Sequence, residues 1–289
     1  LMGNRKKRMH SATEINPERT ASTSVKDVPT TSIIVGSMEV RLARDGKDVE
    51  AAQLLRYRVF YEEMGAIPSK DAALHKMDRD AFDTTAEHLL VIDHAIGGSV
   101  IGTYRLMRRQ LGDASGEYYT SREYDISKIH RFPGTILELG RSCIDPKFRS
   151  KTTMSLLWQG LAAYVFAHDI QILFGCASLP GNDPCAHAAA LSYLHHFHRA
   201  PRELRPCALA AHYVDMNMLR PHEINRKQAL NDLPPLIKGY LRLGGWVGDG
   251  AVIDKQFNTT DVCVVVRMTS LAEKYFKHYQ RKLHWERTP

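Results

Sequence analysis

The chain has 289 residues, enough for one large domain with extensions. Its 44% hydrophobic and 25% charged residues are typical of a globular protein, and no apolar run reaches the roughly 18 residues needed to span a bilayer. The 39 Lys and Arg residues outnumber the 32 Asp and Glu residues, and the net charge of +7 favours an acidic partner. No nucleic-acid-binding motif is present, so an anionic membrane surface or an acidic carrier protein is the expected partner.

The beginning of the chain is predicted to be a tail rather than part of the fold. Residues 1–35 combine a basic cluster with Ser, Thr and Pro and contain few large apolar residues, which is typical of disorder. We therefore expect a disordered basic tail over residues 1–35 and a single folded domain over residues 36–289. The five cysteines show no CxxC spacing, which is typical of reduced thiols in a cytoplasmic protein.

The folded part alternates strand-like and helix-like segments. An alternating apolar pattern predicts a strand at 37–44, and a helical apolar period predicts a helix at 45–65. The later segments are, in order, strands at 87–93, 99–109 and 135–144, a helix at 152–169, a strand at 170–178, a helix at 183–198, strands at 244–253 and 261–268, and a helix at 270–285. Because several strands neighbour one another in sequence, the pattern indicates an α/β fold whose mixed central sheet is flanked by helices.

Charged residues occur within or beside segments that are otherwise apolar. They are Arg56, Asp80, Asp83, Arg105, Glu138 and Arg141. A charge inside a sheet or helix is costly unless it is paired, so these side chains should converge on one another or on a ligand.

The motifs around these charges resemble those of a known family. RYRVF, DRDAFD, IGTYRL and LELGRSCI are similar in order and spacing to motifs of the acyl-homoserine-lactone autoinducer synthases, a branch of the GNAT fold. The charged and aromatic pattern of that family falls here on Arg56, Phe60, Asp80, Asp83, Arg105, Glu138 and Arg141. The tryptophan of that family has no counterpart in the local sequence YEEMGAIPS, which weakens the case for a homoserine-lactone product.

A second branch is closer. The segment LPPLIKGYLRLGGWVGDGAVIDKQFNTTDVCVVV, with LRYRVFYEEM and ELGRSCIDPKFR, resembles the bacterial ornithine Nα-acyltransferases, and the resemblance covers roughly residues 37–270. It implies transfer of a 3-hydroxy fatty acyl group from acyl carrier protein to the α-amino group of L-ornithine, giving lyso-ornithine lipid. Acyl carrier protein would then present a co-substrate, and neither a cofactor nor a metal is expected. Acylation of another amino acid, autoinducer synthesis and non-catalytic membrane or lipid binding are the alternatives.

Glu138 and Arg141 are the candidate catalytic residues. An α-amino group is mostly protonated at neutral pH, so amide formation needs a base, and Glu138 is the candidate. A plain Glu138–Arg141 ion pair is the alternative. Two residues three apart face opposite sides of a regular strand, so they could meet only at a β-bulge.

The remaining candidates are assigned to substrate binding. They are Arg56, Phe60, Asp80, Asp83, Arg105 and Ser142. The charged members would hold the first helix and the following loop over the acyl site and contact the polar ends of the amino acid; a purely structural network is the alternative. The GNAT resemblance also implies that backbone N–H groups near Ser142 polarise the thioester carbonyl.

The basic residues indicate how the donor is presented. Acetyl-CoA-dependent GNAT proteins carry a glycine-rich turn for the pyrophosphate, whereas the equivalent loop here reads RSKTTM without glycine. This favours a donor carried by acyl carrier protein. Candidate contacts for its acidic surface are Arg108, Arg109, Lys147, Arg149 and Lys151, which as solvated surface charges could equally have no role.

The helix predicted at 270–285 is basic and amphipathic. Such a helix either lies in a membrane interface or packs on the core. We therefore expect a cytoplasmic protein, with attachment to the inner membrane surface left open.

Overall fold

The computed structural model describes residues 32–108, 117–269, 272–274 and 277. The α-helices are Gly46–Tyr57 (α1), Lys70–His75 (α2), Ser127–His130 (α3), Lys151–Ala167 (α4), Ala188–Phe197 (α5), Arg226–Asp232 (α6) and Pro235–Arg242 (α7). The β-strands are Ile33–Val35 (β1), Met38–Leu42 (β2), Glu87–Asp93 (β3), Ser99–Arg108 (β4), Tyr124–Asp125 (β5), Thr135–Ile144 (β6), Ile170–Pro180 (β7), Cys207–Ala208 (β8), Tyr213–Val214 (β9), Trp246–Val247 (β10), Ala251–Asp254 (β11) and Thr259–Arg267 (β12).

One large sheet organises the molecule. Its strand order is β1-β2-β3-β4-β6-β7-β12-β11-β9, with β10 paired to β12, and a small second sheet joins β5 to β8. The β6–β7 pair is parallel, whereas the other pairs described are antiparallel. The expected mixed sheet is therefore confirmed.

Helices cover both faces of this sheet because its central strands are apolar on both sides. Leu89 and Val91 belong to the core under α4, whereas the alternate residues Leu90 and Ile92 pack with Leu55 of α1. Burying each of these side chains contributes about 1.5–3 kcal/mol, so α1 and α4 are held firmly on opposite faces.

The folded part begins earlier than the sequence analysis indicates. Strand β1 starts at Ile33 and pairs with β2 through a turn at Gly36, where φ is +60°. The predicted tail boundary at residue 35 is therefore wrong, because β1 belongs to the fold. The β-branched residues of β1 favour extended backbone. Residues 1–31 lie outside the described part of the chain.

Three other segments differ from their predicted form. The helix predicted at 45–65 is α1 followed by a π-helical turn over Arg58–Glu63. The strand predicted at 244–253 is split into β10 and β11 around Gly250, where φ is +81°. The region 200–235, left without a prediction, contains the short β8, β9 and α6.

The helix predicted at 270–285 falls mostly outside the described residues. Of residues 270–285, the structure describes 272–274 and 277, which are helical. Among the described residues, none of the helices has the length and apolarity to cross a membrane.

The parallel pair β6–β7 separates partway along its length. Pairing runs from Thr135–Ile170 to Glu138–Phe174, and then β6 continues to Ile144 without β7 beside it. The last close approach of the two backbones is at Gly175, just after the pairing ends. A Cβ atom there would lie 2.1 Å from the carbonyl oxygen of Leu139, so only glycine fits. This separation opens a cleft in the middle of the sheet.

Candidate active site

A cavity of about 1000 Å³ occupies the cleft between β6 and β7. One part of its wall is apolar and comes mainly from α4 and the α7 region, with Met154, Leu157, Trp158, Leu236, Gly239 and Leu243. Another part is polar, with Arg105, Thr120, Glu138, Arg141, Asp254 and Asp261. The cavity therefore has both an apolar and a charged part of its wall.

Three arginines and three aspartates form a closed ring behind the polar wall. Going round, its members are Arg56, Asp78, Arg141, Asp80, Arg105 and Asp83. The N–O distances are 2.8 Å for Arg56–Asp78, 3.0 Å for Asp78–Arg141, 3.2 Å for Arg141–Asp80, 2.7 Å for Asp80–Arg105, 3.0 Å for Arg105–Asp83 and 2.7 Å for Asp83–Arg56. Each charge thus touches two opposite charges. The expected convergence of distant charged residues is confirmed.

Two carboxyls of the ring, those of Asp78 and Asp83, have lowered pKa values although they are buried. Arg56 is 0% exposed and Arg105 is 2% exposed. Burial alone would raise the pKa of the Asp78 carboxyl, but Arg141 and Arg56 outweigh it and hold that pKa below its ordinary value. The pKa of Asp83 is lowered in the same way, with burial opposed by Arg56 and Arg105. Removing one member would leave an unpaired buried charge.

The ring fastens the 78–83 segment and α1 to the sheet. Arg56 comes from α1, Asp78 to Asp83 come from the loop before β3, and Arg105 and Arg141 come from β4 and β6. Asp83 also closes a capping box with Asp80 in this loop. Asp78, the first residue of the motif DRDAFD, is a member of the ring that was not predicted from the sequence.

The substrate-binding candidates separate into two groups. Phe60, Arg105 and Ser142 line the cavity. Arg56, Asp80 and Asp83 do not appear in its wall; they lie in the ring behind it. The structure therefore supports a positioning role for these three and not a direct contact with substrate.

A β-bulge displays Arg141 to the cavity. Between Gly140 and Cys143, β6 has one residue more than the facing part of β4, and Arg141 adopts φ +51°. The guanidinium lies between the rings of Tyr119 and Phe257, with its central carbon 4.6 and 4.7 Å from their centroids. The strand therefore contains a bulge, which was the condition for a Glu138–Arg141 pair. It directs Arg141 to Asp78 and Asp80, and the described structure contains no Glu138–Arg141 ion pair.

Glu138 lies at the point where β6 and β7 separate. It is 2% exposed, and its two oxygens accept hydrogen bonds from Thr120 N at 2.6 Å and Tyr119 N at 3.0 Å. Burial raises the pKa of Glu138, against the opposing effects of the bonds from Thr120 and Tyr119 and of the Arg105 charge. A raised pKa on the cavity wall is suited to proton transfer near neutral pH.

The edge of β6 beyond Glu138 is available to a ligand. In this stretch β4 pairs with one edge, and β7 has moved away from the other. Backbone N–H groups on that free edge need partners. This stretch contains Ser142.

The basic candidates do not form one surface. Arg149 and Lys151 line the cavity mouth, and Arg149 pairs with Glu63 at 2.6 Å. Lys147 lies beside them in the short 3₁₀ turn that follows β6. Arg108 lies opposite Leu137, towards the other end of β6, and donates to the Tyr164 hydroxyl at 3.3 Å. Arg109 is outside the described residues.

Sequence reasoning also missed three carboxyls: Glu123, Asp254 and Asp261. One oxygen of each lies within 4.8 Å of the others. Burial, and then the nearby Asp261, raises the pKa of Glu123 to about 8; burial raises the pKa of Asp261 to about 6. The three come from separate segments without a common motif, so no sequence signal was available.

Comparisons with known proteins identify the family of the chain. The family model for the acetyltransferase (GNAT) domain matches residues 55–159. The chain is 46% identical to an L-ornithine N(alpha)-acyltransferase of Agrobacterium fabrum over 85% of this chain and 86% of the relative, and 46% identical to one of Brucella abortus over 85% and 89%. Among solved structures it is similar to the AHL synthase LasI, with 15% identity, a TM-score of 0.47 and coverage of 83% of this chain and 95% of that one. With this identity to curated relatives over most of their length, the chain belongs to the L-ornithine N(alpha)-acyltransferases, a family of GNAT-type acyltransferase enzymes.

Proposed function

We propose that the chain transfers a 3-hydroxy fatty acyl group from acyl carrier protein to the α-amino group of L-ornithine, giving lyso-ornithine lipid. The observation that carries the proposal is the cavity of about 1000 Å³, in which an apolar wall meets Glu138 and the free edge of β6. Such a cavity suits a fatty chain at one end and a charged amino acid at the other. The names of the relatives support ornithine as the acceptor.

The reaction follows from the positions of these groups. Glu138 removes a proton from the α-ammonium, directly or through a water molecule, and the neutral nitrogen attacks the thioester carbonyl. Backbone N–H groups of β6 near Ser142 stabilise the oxyanion. As the C–S bond breaks, the nitrogen loses its second proton to give the neutral amide, and the departing thiolate takes up a proton to leave as the thiol. Arg141 lies beside the reacting centre and contributes its positive charge there. Ion pairs with Asp78 and Asp80 hold its guanidinium in place.

The mouth of the cavity supports acyl carrier protein as the donor. The N-terminus of α4 is capped by the Ser150 side chain, which accepts from Thr153 N at 3.1 Å, and the loop lacks the glycines that let a backbone approach a pyrophosphate. Lys147, Arg149 and Lys151 add positive charge there, which suits one phosphate and an acidic protein surface. We place the reaction in the cytoplasm, at the inner face of the membrane that would receive the lipid.

The test is acyl transfer by purified protein. It is incubated with 3-hydroxyacyl-[acyl carrier protein] and single amino acids, and the products are identified by mass spectrometry. We expect acyl-ornithine, and a much slower reaction with acyl-CoA. A lipid formed with another amine but not with ornithine would overturn the acceptor, and equal rates with the two donors would overturn the donor.

Glu138→Gln tests the base. General base catalysis contributes roughly 10²–10⁴-fold, so kcat should fall by that factor while the thermal unfolding midpoint shows that the fold is kept. Glu203→Gln, at an exposed site, is the matched control. Unchanged transfer by Glu138→Gln would remove this assignment.

A further inference from the structure

Three acidic side chains beside the cavity have no cationic partner among the described residues. Glu123 and Asp254 are half-buried, Asp261 is 5% exposed, and one oxygen of each lies within 4.8 Å of the others. Asp254 accepts only from the backbone N–H groups of Gln256 and Phe257, at 2.8 and 2.9 Å, and Glu123 is 3.2 Å from the Cys176 thiol. Because ionising neighbouring carboxyls together is costly, a positive group that comes from outside would stabilise the ionised form of this carboxyl triad.

Asp261 supplies an independent sign of a missing ligand. Its side chain lines the cavity, and burial raises the pKa of its carboxyl while the Thr259 and Ser178 side chains beside it act to lower that pKa. Its Oδ1 atom is nevertheless fully buried without a hydrogen bond of good geometry in the described structure. A buried acceptor left unpaired costs about 1–3 kcal/mol, and more when it is charged. A cation bound in the cavity would satisfy this oxygen.

The triad and Glu138 belong to the same site. Glu138 pairs with Phe174 in the sheet, and Asp261 pairs with Ser178, four residues further along β7. Because side chains two and four residues apart on a strand share a face, Glu138, Cys176 and Asp261 all point to one side of the sheet.

Side-chain contacts connect the two acidic sites over a short path. The Cys176 sulfur lies 3.2 Å from Glu123 and 3.8 Å from the Thr120 hydroxyl, and Thr120 N is bound to Glu138. The two acidic sites are therefore neighbours along one side of the sheet.

We propose that Glu123, Asp254 and Asp261 bind the side-chain ammonium of the acceptor amino acid and thereby select a diamino acid. An ammonium has three N–H donors, matching three converging carboxyls, and charge-assisted bonds of this kind are the stronger ones. With the side chain held there, the α-amino group is directed towards Glu138. The inference rests on the proposed acyl transfer and explains why ornithine would be preferred over a neutral amino acid of the same length.

The experiment compares ornithine with norvaline, which has the same carbon chain without the side-chain amine. Wild-type protein should prefer ornithine strongly, because a site built to bond a polar group rejects an analogue without it. In Asp261→Asn the KM for ornithine should rise roughly 10- to 100-fold with a smaller change in kcat, and the ornithine-to-norvaline ratio of kcat/KM should fall. Glu123→Gln should act in the same direction.

Matched controls are Asp232→Asn and Glu203→Gln, at exposed sites, which should leave both parameters unchanged. Variants of the triad that keep the wild-type ratio would overturn the proposal. Loss of wild-type activity on chelation, restored by Mg²⁺ or Mn²⁺, would show a divalent-metal site and would also overturn it.

Failure of the proposed reaction can be recognised separately. If wild-type protein acylates no amino acid, isothermal titration calorimetry with ornithine and norvaline still tests the triad. Binding of ornithine that is lost in Asp261→Asn would support the site, and equal binding of both amino acids, or of neither, would contradict it.

Discussion

Two groups of buried charges lie beside each other in this molecule and differ in one respect. The charge ring contains three Arg and three Asp that neutralise one another, mostly behind the cavity wall. The carboxyl triad contains three acids without a cation among the described residues, two of them in the cavity wall. The comparison shows that a network in which every charge is paired holds segments of the fold in place. A group of acids without a cationic partner at a cavity can instead bind a ligand.

Breaking the ring should have the largest effect on stability. Arg56→Met leaves Asp78 and Asp83 each with one partner fewer in a buried site, and should lower the free energy of unfolding by about 3–5 kcal/mol. Urea denaturation measures it. Arg79→Met, which removes only an exposed pair with Asp71, should leave the midpoint unchanged. Equal midpoints for the two variants would show that the ring does not hold the fold.

A substitution in the triad should have the opposite effect on the free energy of unfolding. Asp261→Asn removes an uncompensated buried acid and should keep or raise the free energy of unfolding at pH 8, while weakening ornithine binding. Urea denaturation and ornithine titration on the same sample separate the two effects. A loss of stability as large as that of Arg56→Met would place Asp261 among the structural charges.

The cavity mouth offers a third, electrostatic test. Reversing Lys147 and Lys151 together to Glu should raise the KM for acyl-[acyl carrier protein] roughly 10-fold at low salt, with less effect at high salt. Lys128→Glu, an exposed site on α3, is the control. An unchanged KM in the double variant would show that acyl carrier protein binds elsewhere on the molecule.

Ornithine affinity should depend on pH through the triad. With the pKa of Glu123 raised to about 8 and that of Asp261 to about 6, the triad gains negative charge between pH 6 and 8, and the KM for ornithine should fall over that interval. Glu123 faces Asp261, Asp254, Cys176 and, more weakly, Arg141. Glu123→Gln should remove the upper part of this dependence. Steady-state kinetics from pH 5.5 to pH 9 with ornithine and norvaline measure it, and parallel profiles for the two amino acids would contradict it.

Stability should also depend on pH through Glu123. The folded pKa of Glu123 is raised above its ordinary value of 4.5, so the stability from its neutral form is complete below that value and is lost as pH rises to about 8. Glu123→Gln should show less decline in thermal midpoint between pH 5 and 8 than wild type. Identical slopes would contradict the raised pKa.

The sequence predicted much of this arrangement because the relevant signals were local. Apolar periodicity located most strands and the long helix α4, and charges within apolar segments indicated that Arg56, Asp83 and Arg105 converge. The same signal could not show that Asp80 and Asp83 face the ring and not the substrate, since that depends on how the loop crosses the sheet. Nor could it show that Arg108 and Lys147 lie towards opposite ends of β6, because that depends on the register of β4 against β6.

The triad could not be predicted for a physical reason. Glu123 ends a short 3₁₀ turn, Asp254 ends β11 and Asp261 lies in β12, so they meet only through tertiary packing. Each has ordinary local sequence around it. Their common function depends on the folded cavity and not on a motif.

The most direct test of the account is a competition between equal concentrations of ornithine and norvaline for 3-hydroxyacyl-[acyl carrier protein], with products measured by mass spectrometry. Wild-type protein is predicted to form acyl-ornithine almost exclusively, and Asp261→Asn to form a mixture. Equal amounts of the two products from the wild type, or no acylated amino acid at all, would contradict the account.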